Sequence, residues 1–287
     1  MEEKITVEGK EFSLVRVQRG GRSGVYRGGD TYLRLGEKDK LQRDLLLHRQ
    51  MEASGFPVAK VIGEGEYKNL FYFVEESLGE KHFGELFAED CVVSGKISDE
   101  HFASFLEITG RYGLAQLKTA VPDKRTAEFA SGIHLDDLCG ELPDDAGAIR
   151  EYFSAVIART AELPFVVAHG DFNPSNLYPA GVIDLEDSFY APAGYDLVTN
   201  IVHIDNFPDS PEYEFFRKYQ FTDEQKQAYY DVVDNLYGSQ GLPKPSAYKE
   251  DFEFCRAVWA AVRMHAWPHV QKFRYDRLRQ KFLNVIL

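Results

Sequence analysis

Residues 166–198 read VVAHGDFNPSNLYPAGVIDLEDSFYAPAGYDLV. Within this stretch His169-Gly170-Asp171 is followed, five residues after the aspartate, by Asn176; Asp184 closes the strand-like GVID, and Asp196 lies further on. An Asp and an Asn so spaced on one tight loop can aim the carboxylate at an acceptor hydroxyl and the amide at a divalent cation. A second Asp at a strand end can bridge that cation to a polyphosphate, because Mg²⁺ prefers oxygen and takes few ligands from protein. Phosphoryl transfer to a hydroxyl requires these parts, and the protein-kinase catalytic loop has the same Asp-to-Asn spacing. Average residue frequencies put a chance HGDxxxxN match at about one in a thousand for a chain this long, and the additional IDxED and downstream Asp-Leu lengthen those odds.

Upstream of that stretch the pattern changes. Residues 12–17 alternate apolar and polar, residues 19–30 read RGGRSGVYRGGD, and residues 31–35 (TYLRL) are again strand-like, which suggests an antiparallel meander with glycine-rich turns. In residues 40–53 Leu41, Leu45, Leu46, His48 and Met51 mark a helical face, ended by Gly55 and Pro57. Two more strands are expected at 56–62 and 70–74 around the turn-rich GEGEYKN, with 75–84 as a polar linker. Beyond it the pattern is mainly helical: residues 98–119 open with an N-cap Ser and an acidic first turn, residues 144–163 follow, and three helical stretches begin at Thr222. The organisation is a small β-rich lobe with one helix, residues 1–77, then a larger helical lobe, residues 78–287.

Composition narrows the class. The chain has 287 residues, enough to bury a core without staples. A formal net charge of −13 argues against a nucleic-acid partner, since phosphate contacts need clustered Lys and Arg. Met1 to Phe12 carries no apolar signal segment and no run reaches the length of a membrane span, so the expectation is a cytoplasmic protein without a membrane partner. Cys91, Cys139 and Cys255 are odd in number and far apart, which speaks against a disulfide framework or a zinc site.

HGDFNPSN, followed by VIDLED and YDL, resembles the aminoglycoside phosphotransferase and choline kinase family, and the lobe order matches over almost the whole chain. The resemblance implies an α+β, bilobal protein-kinase-like fold, with a small antiparallel sheet lobe and a mainly helical lobe. It implies Asp171 as catalytic base, Asn176 and Asp184 as Mg²⁺ ligands, and His169 and Asp196 as braces of the catalytic loop; His169 as a general base or zinc ligand is the alternative. Gly20, Gly21, Ser23 and Gly24 lie between the first two strands, where backbone N–H groups and a hydroxyl can approach phosphate oxygens. Arg34 and Asp44 stand where relatives carry a strand Lys paired with a helical Glu. The hinge that meets the nucleotide base falls at Glu75-Glu76-Ser77. The path from Asn176 to Asp184 is shorter than in relatives and fits a minimal turn at Pro179-Ala180-Gly181.

Acceptor recognition is expected in the helical lobe. Glu186, Asp187 and Asp205 are the forward candidates, with His203 and Asp209 beside them and Tyr229, Tyr230, Trp259, His265 and Trp267 as possible walls. A pocket of carboxylates and aromatics would suit an amine-bearing polyol or quaternary ammonium. Taken singly, Trp259 reads as core, in stripe with Cys255, Val258 and Val262, and Asp209 as a solvated loop residue. The expected activity is Mg²⁺-dependent transfer of the γ-phosphoryl of ATP or GTP to a hydroxyl of a small metabolite or antibiotic. A catalytically degenerate nucleotide- or ligand-binding module is the alternative. A protein kinase ranks third, because no APE-type anchor follows Asp184. Oligomeric state has no signature in the chain.

Overall fold

A computed structural model describes residues 2–17, 23–263 and 267–283. The first part is an antiparallel sheet of β1 (Lys4–Val7), β2 (Lys10–Val17), β3 (Gly24–Gly28) and β4 (Thr31–Gly36), then helix α1 (Lys38–Ala53), then β5 (Val61–Tyr67) and β6 (Leu70–Glu76). The strand order is β1-β2-β3-β4-β6-β5, so the chain passes through α1 and β5 before β6 pairs with β4. In β4 the two-residue period sends Leu33 and Leu35 to one face, where they pack with Phe12, Tyr26 and Tyr72. Arg34 points to the other face, which α1 covers with Leu41 and Leu45 against Phe71 and Phe73. β6 is buried on both faces, which explains its unbroken apolar run.

The structure moves one strand from where the sequence suggested it. β5 spans Val61–Tyr67, through the GEGEY expected to be a turn, and the turn is confined to Lys68-Asn69. Gly65 is opposite Tyr72 in the register, and a Cβ there would come within 2.7 Å of the Tyr72 hydroxyl. The glycine marks a close approach inside a strand, not a turn.

The second part begins with α2 (Phe83–Ser94), set off by a capping box between His82 and Glu85 and ended by Gly95 in the left-handed region. The expected linker at 75–84 is therefore shorter, with β6 running to Glu76. α3 (Asp99–Leu117) starts at Ser98, whose hydroxyl accepts from the His101 amide at 3.2 Å. α4 (Thr126–Gly132), α5 (Leu135–Glu141) and α6 (Ala146–Arg159) follow, then a β7 (Phe165–Ala168) and β8 (Phe189–Pro192) pair, α7 (Tyr195–Asn200), α8 (Asp223–Ser239), α9 (Lys249–Arg263) and α10 (Pro268–Phe282). Their common core is aromatic: Phe83, Phe87, Phe105, Tyr112, Phe129 and Phe165 are all buried. No helix among the described residues is long and apolar enough to cross a membrane.

Candidate active site

The stretch from His169 to Ser188 is the connection between β7 and β8, whose pairing brings Ala168 opposite Phe189. Two features hold its first turn. Gly170 has φ +82°, and a Cβ there would lie 2.4 Å from the Asp187 carbonyl oxygen. Asp196, 1% exposed at the start of α7, receives the loop's backbone. Its Oδ2 accepts from the His169 amide at 2.7 Å, from the Tyr112 hydroxyl at 2.7 Å and from Gln116 Nε2 at 2.9 Å; its Oδ1 accepts from the Gly170 amide at 3.2 Å. His169 Nδ1 accepts from the Asp171 amide at 3.2 Å, so its Nε2–H donates to the Ile183 carbonyl at 2.7 Å. Both ring nitrogens are spent on backbone, which leaves none for a proton relay or a metal.

Asp171 emerges from this turn into the cleft, gripped from behind. Arg256 of α9 donates one Nη to Asp171 Oδ1 and the other to the Gly170 carbonyl, each at 2.6 Å. Asn173 Nδ2 adds a bond to Oδ1 at 3.0 Å. Burial pushes the Asp171 carboxyl pKa up, but the Arg256 charge and hydrogen bond outweigh it, and the net shift is below the ordinary value. Arg256 is buried and its guanidinium lies over Trp259 at 3.9 Å; Arg263 covers the same ring at 4.8 Å and forks onto both oxygens of Asp187. Trp259 is buried in the core, as the sequence suggested, and its exposed remainder also lines the cleft between two arginines. Arg256 carries no motif. Its one signal is a charge inside the apolar run FCRAVWAAV of a helix that is otherwise buried there.

The short connection after Asn176 closes. Leu177 bridges Val182, Tyr178 N–H donates to the Gly181 carbonyl at 2.8 Å, and Ile183 N–H donates to the Asn176 carbonyl at 3.0 Å. The turn is anchored across to the small lobe, where Val182 N–H meets the Pro57 carbonyl at 2.7 Å, and a Cβ on Gly181 would be 2.2 Å from that oxygen. Asn176 and the residue before Asp184 therefore stand side by side. Asn176 Nδ2 donates to the Asp171 carbonyl at 2.8 Å, so its Oδ1 is the amide atom left over, in a side chain lining the cleft. Asp184 adopts the left-handed region at φ 60°, with its carboxylate 3.7 Å from Arg34 and 3.9 Å from Arg16. An amide oxygen and a carboxylate are hard donors that suit Mg²⁺, which completes its shell from water and phosphates. Among the described residues no group of three or more His, Cys, Asp or Glu forms a protein-only metal cage.

The small lobe corrects one expectation, the partner of Arg34. Arg34 does not pair with Asp44; its Nε donates to Glu75 at 3.1 Å. In the β4–β6 register Arg34 faces Phe73 and Tyr32 faces Glu75, so Arg34 and Glu75 are diagonal neighbours on the face toward α1. Strand pairing fixes that approach, whereas Asp44 has a short side chain on a separate helix; it lines the same small pocket, its pKa raised by burial. Glu75 is therefore the counter-charge of Arg34. At the hinge, the Glu76 and Ser77 amides are already committed to the Lys60 and Asp30 carbonyls, each at 2.9 Å, so neither is free for a nucleotide base. Ser23 is buried with its hydroxyl turned toward Gly36, where a Cβ would lie 2.5 Å from it, and Gly24 is buried at the start of β3. Gly20, Gly21 and His265 lie outside the described residues.

On the acceptor side the cleft has a volume of about 650 Å³, and Asp171, Glu186, Asp187, His203 and Trp259 all line it. Asp205 does not: it pairs with Arg277 at 3.5 Å beside a different, smaller cavity. Asp209 is exposed and lies 3.5 Å from Arg217. Tyr229 is buried, bonded to Asn200 and the Leu197 carbonyl. Sequence reasoning missed Asn206, Phe207, Phe216 and Arg274, which line the cleft opposite the small lobe.

A small antiparallel sheet with one helix, a larger helical part, and an HGDxxxxN loop opening between them define a phosphotransferase of the protein-kinase-like type. The chain belongs to the APH phosphotransferase enzyme family, whose model matches residues 11–236, and it is accordingly a phosphotransferase with an alcohol group as acceptor. No curated protein matches it. Solved structures similar to it include an aminoglycoside-3'-phosphotransferase of type VIII, 19% identical, covering 80% of this chain and 95% of that one at a TM-score of 0.42. The aminoglycoside phosphotransferase APH(3'')-Id from Streptomyces rimosus, in complex with ADP and streptomycin, is 16% identical over 78% of this chain and 92% of that one, TM-score 0.48. A choline/ethanolamine kinase family protein from Mesorhizobium loti is 16% identical over 93% and 92%, TM-score 0.41.

Proposed function

We propose that the protein is a cytoplasmic, Mg²⁺-dependent small-molecule kinase that transfers the γ-phosphoryl of ATP or GTP to a hydroxyl of its acceptor. One observation carries this reading: Asp171, Asn176 and Asp184 converge on one cleft because the hairpin between them closes. The nucleotide lobe would be residues 1–77 and the acceptor lobe residues 78–287. Asn176 and Asp184 would hold Mg²⁺, which supplies charge neutralisation on the polyphosphate. Arg34 and Arg16, already beside Asp184, would face the same phosphates.

Asp171 would orient the acceptor hydroxyl and take its proton late. A carboxylate held low by Arg256 is a weak Brønsted base and a good hydrogen-bond acceptor. In a loose phosphoryl transition state, positioning of the nucleophile counts for more than early deprotonation. Closure of the hairpin favours this reading over a degenerate binding module, which the Arg34 and Asp44 departures and the shortness of that connection together suggested.

The test is thermal unfolding with and without Mg²⁺ against ATP, ADP, GTP and GDP, in wild type and Asp171→Ala. A nucleotide at a hundred times its dissociation constant adds about 2.7 kcal/mol to native-state stability. Expected is a Mg²⁺-dependent rise in midpoint in both proteins, with acceptor-dependent ADP release only in wild type. No shift with any nucleotide would refute the reading, and turnover preserved in Asp171→Ala would refute the role of that residue.

A further inference from the structure

The carboxylates of the acceptor cleft are already matched. Asp171 is paired with Arg256, Asp187 with Arg263, and Glu186 lies 3.6 Å from Lys40. Among the described residues one cation in the same cleft is not. Arg274 of α10 is 4% exposed, and its bonds run to the Asn206 carbonyl at 3.2 Å and the Ala260 carbonyl at 2.8 Å. Among the described residues Tyr213 is its one side-chain hydrogen-bond partner. Among the described residues no carboxylate closes a salt bridge with it. A second buried guanidinium, Arg256, bears on it with the same sign.

Burying a charge without its counter-ion costs several kcal/mol, and neutral carbonyls offset only part of that. The surroundings intensify the field of the bare charge. Phe207 is stacked between Tyr213 at 4.7 Å and Phe216 at 4.8 Å, and the Arg274 guanidinium sits 5.8 Å from the Phe207 ring. Such an apolar wall strengthens any ion pair formed against it. A second unmet polar atom lies in the same cleft. His203 is 3% exposed and its Nδ1–H donates to the Asn200 carbonyl at 2.7 Å, while Nε2 has no partner among the described residues. With its proton on Nδ1, His203 presents Nε2 as a buried hydrogen-bond acceptor, and burial keeps it neutral by pushing its pKa down to about 4.

We infer that the acceptor is a hydroxylated anion, whose carboxylate or phosphate pairs with Arg274 while His203 Nε2 accepts a hydrogen bond from a hydroxyl presented toward Asp171. This rests on the kinase reading and replaces the amine-bearing acceptor that the bare count of acidic residues suggested. The pocket's acidic side chains are spent on two arginines and a lysine, and the charge left over is positive.

The probes are four alcohols that differ in one group: para-(hydroxymethyl)benzoate, para-(hydroxymethyl)phenyl phosphate, the matching benzamide and the matching benzylamine. Binding of each is measured by calorimetry with Mg-ADP present, in wild type, Arg274→Met and Arg274→Lys. In wild type one of the two anions should bind about ten- to a hundredfold tighter than the amide and the amine, the range a charged hydrogen bond supplies. Benzoate against phosphate tells which anion the site takes. The preference should vanish in Arg274→Met and return in part in Arg274→Lys, with Mg-ADP affinity unchanged in all three. Tighter binding of the amine, an anion preference that survives Arg274→Met, or no binding of either anion would overturn the inference. The Mg-ADP titration in the same samples reports separately whether the nucleotide reading stands.

Discussion

Replacing Arg256 by Met should unsettle both the fold and the chemistry, in ways that can be computed and separated. The guanidinium makes two short bonds, to Asp171 Oδ1 and to the Gly170 carbonyl, both at 2.6 Å. Hydrogen bonds to charged groups contribute about 1.5–3 kcal/mol each, and breaking a buried pair from one side costs about 3–5 kcal/mol. The Asp171 side chain is 28% exposed, so water recovers part of the loss, and a destabilisation of about 3 kcal/mol is expected. At roughly 2–4 °C per kcal/mol, the unfolding midpoint should fall by about 6–12 °C. The pH dependence follows from the sign of the shift. In wild type the Asp171 pKa lies below its ordinary value, so its contribution is complete at neutral pH and is lost only as pH falls through the folded pKa. Without Arg256, burial outweighs the hydrogen bond left from Asn173, and the Asp171 pKa rises. The acid limb of kcat/KM should then move to higher pH, and the stability gap between variant and wild type should narrow as pH is lowered. Arg256→Lys keeps the charge without the fork and should fall between the two. An acid limb that stays in place, together with a midpoint within about 1 °C of wild type, would refute the assignment of Arg256 as the residue that positions Asp171.

Two further substitutions probe the remaining geometry. Asp184→Ala removes a carboxylate 3.7 Å from Arg34 and 3.9 Å from Arg16. Calorimetry should show Mg-ADP affinity falling about tenfold or more, while metal-free ADP binds at least as well because two arginines are released toward its phosphates; equal losses with and without Mg²⁺ would remove Asp184 from the metal site. Gly170→Ala forces a side chain into φ +82° and toward an oxygen 2.4 Å away. It should cost about 1–3 kcal/mol of stability or more and reduce kcat far more than nucleotide affinity, and wild-type kcat in this variant would show that the loop turn is not constrained as described.

The convergence of the proposed catalytic loop on one cleft was legible because its residues are local. Asp171, Asn176 and Asp184 fall within one short stretch, and a fixed spacing on one loop implies a shared direction. The strands and helices with clean periods were legible for the same reason: the face of α1 carrying Leu41, Leu45, His48 and Met51 is buried where the pattern put it. The misplacement of β5 came from treating glycine as a breaker. At Gly65 the glycine answers the Tyr72 hydroxyl on the neighbouring strand, and that partner is visible only once the two strands are paired.

The same limit explains the site residues that were missed or misassigned. Arg34 was matched with Asp44 on the next helix, and strand register pairs it instead with Glu75, 41 residues away, which the sequence reading had placed at the hinge. Arg256 is 85 residues from Asp171 and reaches it because α9 packs behind the loop. A carboxylate count along the chain therefore described an acidic pocket. In the folded protein the carboxylates that line the acceptor side, Asp171, Glu186 and Asp187, each meet a cation from a distant helix, and the sign of the charge left for a ligand is reversed. What a chain offers its substrate is the remainder after internal pairing, and that remainder is set by long-range packing, which residue type and spacing do not encode.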